Sequence, residues 1–206
     1  MRGVSSLIRL KVSFSAATVR GGFELFGELV ISGQDVVAVL FGEDITKGSP
    51  VVVKIIDFDP TKLANPATLP TGTAQGCAFD PTGTYLAVAH GSSPYITIYK
   101  RSGDTFTKLP NPTTLPNGNS YGCAFDPTGT YLAVAHYSYS SPYITIYKRS
   151  GDTFTKLPNP ATLPTGTARG CAFDPTGTYL AVAHFDSPYI TIYKRSGDTF
   201  TKLADP

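Results

Sequence analysis

Residues 76–90 read GCAFDPTGTYLAVAH, and the same fifteen residues return at 122–136 and at 170–184. Each copy runs through a short insert into a second constant stretch, PYITIYKRSGDTFTKL, at 94–109, 142–157 and 188–203. Only the inserts differ: Gly91-Ser92-Ser93, then YSYSS from Tyr137 to Ser141, then Phe185-Asp186-Ser187. The copies start 46 residues apart (76 to 122) and then 48 (122 to 170). That period belongs to small supersecondary units that stack on one another.

Each copy reads as four strands. Cys77 to Phe79 is a short apolar run, closed by Asp80-Pro81-Thr82-Gly83 with Pro and Gly where a type I turn takes them. Tyr85 to His90 is apolar up to its last residue, as in a strand covered on both faces, and Tyr95 to Lys100 is β-branched and aromatic. Arg101-Ser102-Gly103-Asp104 makes a second hairpin turn, and Thr105 to Leu109 completes the sheet. A four-stranded sheet with two apolar faces needs a neighbour on each side. Radial stacking of such sheets gives an all-β chain of β-propeller-type blades, four-stranded and antiparallel.

Working outward, about four blades are expected. Val36 to Phe41 matches Tyr85 to His90, Ser49-Pro50 matches Ser93-Pro94, and Lys62-Leu63 matches Lys108-Leu109. The organisation is therefore a lead-in strand at 1–22, a diverged first blade at 23–63, and near-identical blades at 64–109, 110–157 and 158–206. Connectors at 64–75, 110–121 and 158–169 are rich in Pro, Thr and Gly, which suits crossings rather than central strands or helices.

Composition narrows the function. The chain is 41% hydrophobic and 16% charged with a formal net charge of +2, so it lacks the broad basic field that nucleic acid would require. The longest apolar run, Val36 to Phe41, is too short to cross a bilayer, and no apolar stretch of signal-peptide type follows Arg2, Arg9 and Lys11. The three cysteines, Cys77, Cys123 and Cys171, are one position copied, which is not a disulfide framework.

In an up-down-up-down sheet the two constant turns lie at one end, and the inserts and connectors at the other. Variation is confined to the second end, an arrangement by which a fixed scaffold presents a binding surface. Tyr121, Tyr137, Tyr139 and Phe185 place large rings there, with Arg169 and Asp186 as polar groups and His90, His136 and His184 at the adjoining strand ends. The alternative is neutral drift of duplicated loops. The imidazoles suit hydrogen-bonded structural roles better than a metal site, because equivalent side chains on adjacent blades stand too far apart to share one ion. No nucleophile elbow, zinc-helix motif, phosphate loop or calcium loop is present. No cofactor and no metal are expected.

GCAFDPTGTYLAVAH followed by YITIY resembles the WD40-like, YVTN and lactonase-like β-propeller repeats, over roughly residues 33 to 206. The chain departs from true WD40 repeats in having no Trp. Near-identical tandem copies also resemble repeats in some tailed-phage and prophage proteins. Lactonase-like propellers close with seven blades, so about four blades imply an open arc, completed by a second copy, further sequence or a host assembly. The expected function is a non-catalytic interaction module, virion-associated, contacting a protein, a second copy or a glycan. The alternative is a lactonase-like enzyme.

Overall fold

The computed structural model describes residues 62–205. The expected lead-in strand and all but the last two residues of the diverged first blade lie outside them.

The described residues hold three antiparallel sheets of four strands each, each sheet in simple sequence order. The first comprises β1 (Ala74–Phe79), β2 (Tyr85–His90), β3 (Ile96–Ser102) and β4 (Thr105–Lys108). The second comprises β5 (Ser120–Phe125), β6 (Tyr131–His136), β7 (Ile144–Ser150) and β8 (Thr153–Lys156). The third comprises β9 (Ala168–Phe173), β10 (Tyr179–His184), β11 (Ile190–Ser196) and β12 (Thr199–Lys202). The first strands, β1, β5 and β9, neighbour one another in turn, so they are the inner edge of an arc of blades. This is the expected all-β, propeller-type architecture.

Strand boundaries follow the sequence reading with two differences. The inner strands begin at Ala74, Ser120 and Ala168, three residues before the cysteine, because the end of each connector continues into the ladder through a register shift. The third strand of each sheet begins after the tyrosine, at Ile96, Ile144 and Ile190, and Tyr95 and Tyr189, behind their three-residue inserts, take φ of 66° and 69°. That conformation is uncommon for a residue with a Cβ. Tyr143, behind the five-residue insert, is not among the positive-φ residues.

Inner strands approach closely because of glycine. A Cβ added at Gly76 would stand 2.7 Å from the Tyr121 carbonyl oxygen, and one at Gly122 would stand 3.3 Å from that of Arg169. Outward from this edge the sheets pack through unlike faces. Tyr85, Ala87, Ala89, Ile96 and Ile98 of the first sheet meet Leu132, Val134, Tyr147 and Phe154 of the second. Tyr131, Ala133, Ala135, Ile144 and Ile146 meet Leu180, Val182, Tyr193 and Phe200 in the same way. Full burial of each large aliphatic side chain contributes roughly 1.5–3 kcal/mol.

Polar groups of the constant turns lock this joint. The Tyr85 hydroxyl donates to Asp152 Oδ1 at 2.6 Å and to the Gly151 carbonyl at 3.2 Å, while Lys100 Nζ meets Asp152 Oδ2 at 2.8 Å. Arg149 lies over the Tyr85 ring, 4.5 Å from its centre. The next joint repeats the set with Tyr131, Gly197, Asp198, Lys148 and Arg195. Within a blade, Arg101 Nε donates to the Gly83 carbonyl at 2.6 Å, tying the two constant turns together at one end.

Two substitutions separate backbone from hydrogen-bond effects. Gly151 has φ of +58° with nothing within 4 Å of an added Cβ, so Gly151→Ala carries only the left-handed backbone cost, about 1 kcal/mol. Asp126 is buried and accepts from the Tyr131 N–H at 2.8 Å and the Thr128 hydroxyl at 2.6 Å. Asp126→Ala strands that N–H and is expected to cost more, about 1–3 kcal/mol. Urea titration should rank the two in that order; equal losses would contradict the assignment.

Candidate functional site

Inserts and connectors meet at the opposite end of the arc from the constant turns. In the first blade the Thr71 hydroxyl donates to the Ser93 carbonyl at 2.6 Å, and the Gly91 N–H to the Thr73 carbonyl at 3.1 Å. In the second, Asn117 Nδ2 donates to Ser138 Oγ at 2.9 Å, and the Tyr137 N–H to the Asn119 carbonyl at 2.8 Å. In the third, the Thr165 hydroxyl donates to the Ser187 carbonyl at 2.9 Å, and the Phe185 N–H to the Thr167 carbonyl at 3.0 Å. Each insert is thus braced by the connector of its own blade.

At this end every inner strand carries a bulge. Ala74 pairs with His90 and Gly76 with Ala89, which leaves Gln75 as the extra residue; Tyr121 and Arg169 hold the equivalent places. Bulges re-aim side chains and are frequent beside binding sites. Here adjacent bulge residues touch, since the Arg169 guanidinium lies 4.4 Å from the centre of the Tyr121 ring. Arg169 and Gln75 are exposed and Tyr121 is half-buried. The bulge therefore puts three different residues, an amide, a phenol and a guanidinium, at equivalent positions of successive inner strands.

The remaining candidates fall into two groups. Tyr137 and Tyr139 pack edge to face at 5.3 Å, with Tyr139 96% exposed, and Phe185 is 69% exposed. Asp186 is exposed and abuts Gly166, where a Cβ would collide with its carboxylate. His90, His136 and His184 are not on this surface. All three are buried, and each Nε2 is 2.9–3.0 Å from the threonine hydroxyl of the adjoining strand: Thr97, Thr145 and Thr191. Nδ1 of His90 and of His136 has no hydrogen-bond partner. These imidazoles fasten the second strand to the third, so the structure does not bring them together with the exposed candidates.

Cys123 and Cys171 donate to the carbonyls of Ala87 and Ala133 on the preceding blade, and burial pushes both thiols up, Cys171 to about 12. They are protonated joint residues rather than nucleophiles. Among the described residues no group of three or more His, Cys, Asp or Glu is placed to hold a metal ion, and no helix is long and apolar enough to cross a membrane.

No protein-family model matches the chain, and no curated protein matches it. Solved structures do share its fold. One described as a putative 6-phosphogluconolactonase from Bacteroides uniformis ATCC 8492 superposes with a TM-score of 0.60 at 20% identity, over 74% of this chain and 46% of its own. A second of that description, from Bacteroides fragilis NCTC 9343, gives 0.56 at 19% identity, over 67% and 40%. A protein from Lactobacillus plantarum gives 0.51 at 22% identity, over 63% and 40%. This chain spans less than half the length of these structures.

These neighbours correct the expectation of a non-catalytic chain in one respect: the fold is shared with structures described as putative enzymes. That expectation rested on the equivalence of the blades, which does not extend to the bulge. The constant turns are equivalent, but the bulge positions are not, since they carry Gln75, Tyr121 and Arg169. None of the three descriptions mentions a virion or a bacteriophage.

The buried imidazoles have a measurable consequence. Burial brings His136 down from its ordinary 6.5 to about 4 and lowers His90 in the same direction. Between those values the unfolded chain binds the proton and the folded chain does not, so stability is complete above about pH 6.5 and falls as pH drops toward 4. The His136 shift alone corresponds to roughly 3 kcal/mol. Urea midpoints measured from pH 7.5 to 4 should decline through this window; a flat profile would contradict a neutral buried imidazole.

Proposed function

We propose that this chain supplies blades to a lactonase-like propeller, and that the bulge row of Gln75, Tyr121 and Arg169 binds an anionic sugar lactone there. The observation that carries this reading is the guanidinium of Arg169 held against the Tyr121 ring on the innermost strands, with exposed Gln75 at the equivalent bulge position of the first sheet. A guanidinium fork matches a phosphate or carboxylate with two parallel hydrogen bonds. A phenol ring offers an apolar face to the C–H side of a sugar and a hydroxyl to its oxygens. The amide of Gln75 can donate to a carbonyl and accept from a hydroxyl. Two solved neighbours of the same fold are described as putative 6-phosphogluconolactonases, a name whose substrate has this combination of ring, ester and anion.

Hydrolysis adds water across the lactone C–O bond and releases a hydroxy acid. On this reading Arg169 anchors the anionic end and orients the ester. Release of acid from 6-phosphogluconolactone by the purified chain is the direct test. Arg169→Ala is expected to lower kcat/KM about 100-fold, the loss of a charged hydrogen-bond pair, and Arg169→Lys to recover part of it. Hydrolysis unaffected by either change, or none above the spontaneous rate, would overturn the assignment.

The exposed rings favour a second use of the same end, contact with a protein or glycan. Tyr137 and Tyr139 lie in an insert two residues longer than those of the flanking blades. Aromatic anchors of this kind typically contribute about 2 kcal/mol or more each when they dominate an interface. Tyr137→Ser with Tyr139→Ser should abolish partner capture by immobilised glycans or proteins while leaving the melting temperature within a few degrees. Capture that survives this change but fails with Lys148→Ala and Arg149→Ala would place the contact at the constant end.

A further inference from the structure

We propose that Asn117-Gly118, in the connector of the second blade, is a deamidation site that releases the Tyr137 to Ser141 insert as the protein ages. The chemistry needs an exposed asparagine carboxamide followed by a backbone N–H free to attack it. The Gly118 nitrogen attacks Asn117 Cγ, the Cγ–Nδ2 bond breaks, and ammonia leaves with the backbone proton. Water then opens the succinimide at either carbonyl, giving aspartate or isoaspartate at position 117. The chain has five asparagines. Asn65, Asn111 and Asn159 each precede proline, whose nitrogen carries no proton. Asn119 precedes Ser120, which is buried and paired with His136 at the start of β5. Asn117 is exposed and precedes glycine, which sets no side chain beside the attacking nitrogen. Among the described residues the Gly118 N–H donates to no backbone carbonyl.

The same two residues hold the insert in place. Asn117 Nδ2 donates to Ser138 Oγ at 2.9 Å, and Ser138 is buried. Gly118 lies so close beneath Tyr137 that a Cβ there would collide with the Tyr137 carbonyl oxygen. One residue on, the Asn119 carbonyl accepts from the Tyr137 N–H at 2.8 Å. Either product removes the amide that donates to Ser138 and puts a carboxylate in its place. Isoaspartate does more, because its main chain runs through the former side chain and gains a methylene between positions 117 and 118. Gly118 and Asn119 are then displaced against Tyr137, where the packing leaves no slack. The flanking blades lack this chemistry. They carry Thr71-Gly72 and Thr165-Gly166 at the corresponding place, and those threonine hydroxyls brace the inserts by donating to the Ser93 and Ser187 carbonyls. The longest insert is therefore the one held by a group that decays in water.

Incubating the full chain in mildly alkaline buffer, folded or in urea, and following the tryptic peptide 109–148 by mass spectrometry tests this. Expected are conversion at position 117 and not at 119, methylation of the product by an isoaspartyl methyltransferase, and a rate in the folded chain within tenfold of that in urea. Chymotrypsin should then cut aged protein after Tyr137 or Tyr139 at least tenfold faster than fresh protein. Asn117→Thr, which installs the residue of the flanking blades, should age without either change. Should that variant misfold by circular dichroism, Asn117→Gln replaces it, since its longer side chain closes the ring far more slowly. An Asn117 that stays intact in the folded chain while the urea sample converts overturns the site, as does conversion at 119 instead. Aged protein that carries isoaspartate at position 117 yet is cut no faster than fresh protein overturns the release of the insert.

Discussion

The molecule rests on the contact between one sheet's Tyr-Ala-Ala-Ile-Ile face and the Leu-Val-Tyr-Phe face of the next. Neither face can be left in water, because together they leave the central strands apolar on both sides. The polar clasp at its rim works differently. Lys100 and Asp152 are each about half exposed, and an ion pair so exposed adds little stability by itself. Its contribution is geometric: with the Tyr85 hydroxyl and the Arg149 stack it fixes the angle at which the second blade meets the first. The same set at Tyr131, Asp198, Lys148 and Arg195 fixes the next angle, so curvature is specified pairwise.

Much of this was legible in the sequence. The period, the four strands per copy, both tight turns and the division between constant and varying ends all follow from comparing the copies with one another. The clasp was not, because Tyr85 and Asp152 both lie in constant segments and are 67 residues apart. Nothing in a strand-by-strand reading marks them as partners. The left-handed Tyr95 was equally hidden, since insert length decides it rather than the residue itself.

The site was legible in part. Tyr121 and Arg169 stand out because they differ where everything after them is invariant, and Gln75 bears the same signal at the end of its connector. What the sequence could not supply was the bulge, which turns a difference at the end of a crossing into a difference at equivalent positions of successive inner strands. The histidines mislead for the opposite reason. A titratable residue at a strand end next to variable loops looks accessible, yet their ring nitrogens bond the neighbouring strand's threonines beneath the surface.

The glycine contact between inner strands reaches beyond this chain. Because Gly76 approaches Tyr121 and Gly122 approaches Arg169 through backbone atoms alone, the spacing at the hub is indifferent to which side chain the bulge carries. The bulge side chain and the strand spacing are thereby uncoupled in inheritance. A gene that gains or loses one repeat by unequal recombination keeps every surviving joint intact, and a point change at the bulge rewrites the contents of the hub without touching the spacing that forms it. Near-identical copies, which make such recombination frequent, then provide a route for varying the number of blades and the bulge side chains independently.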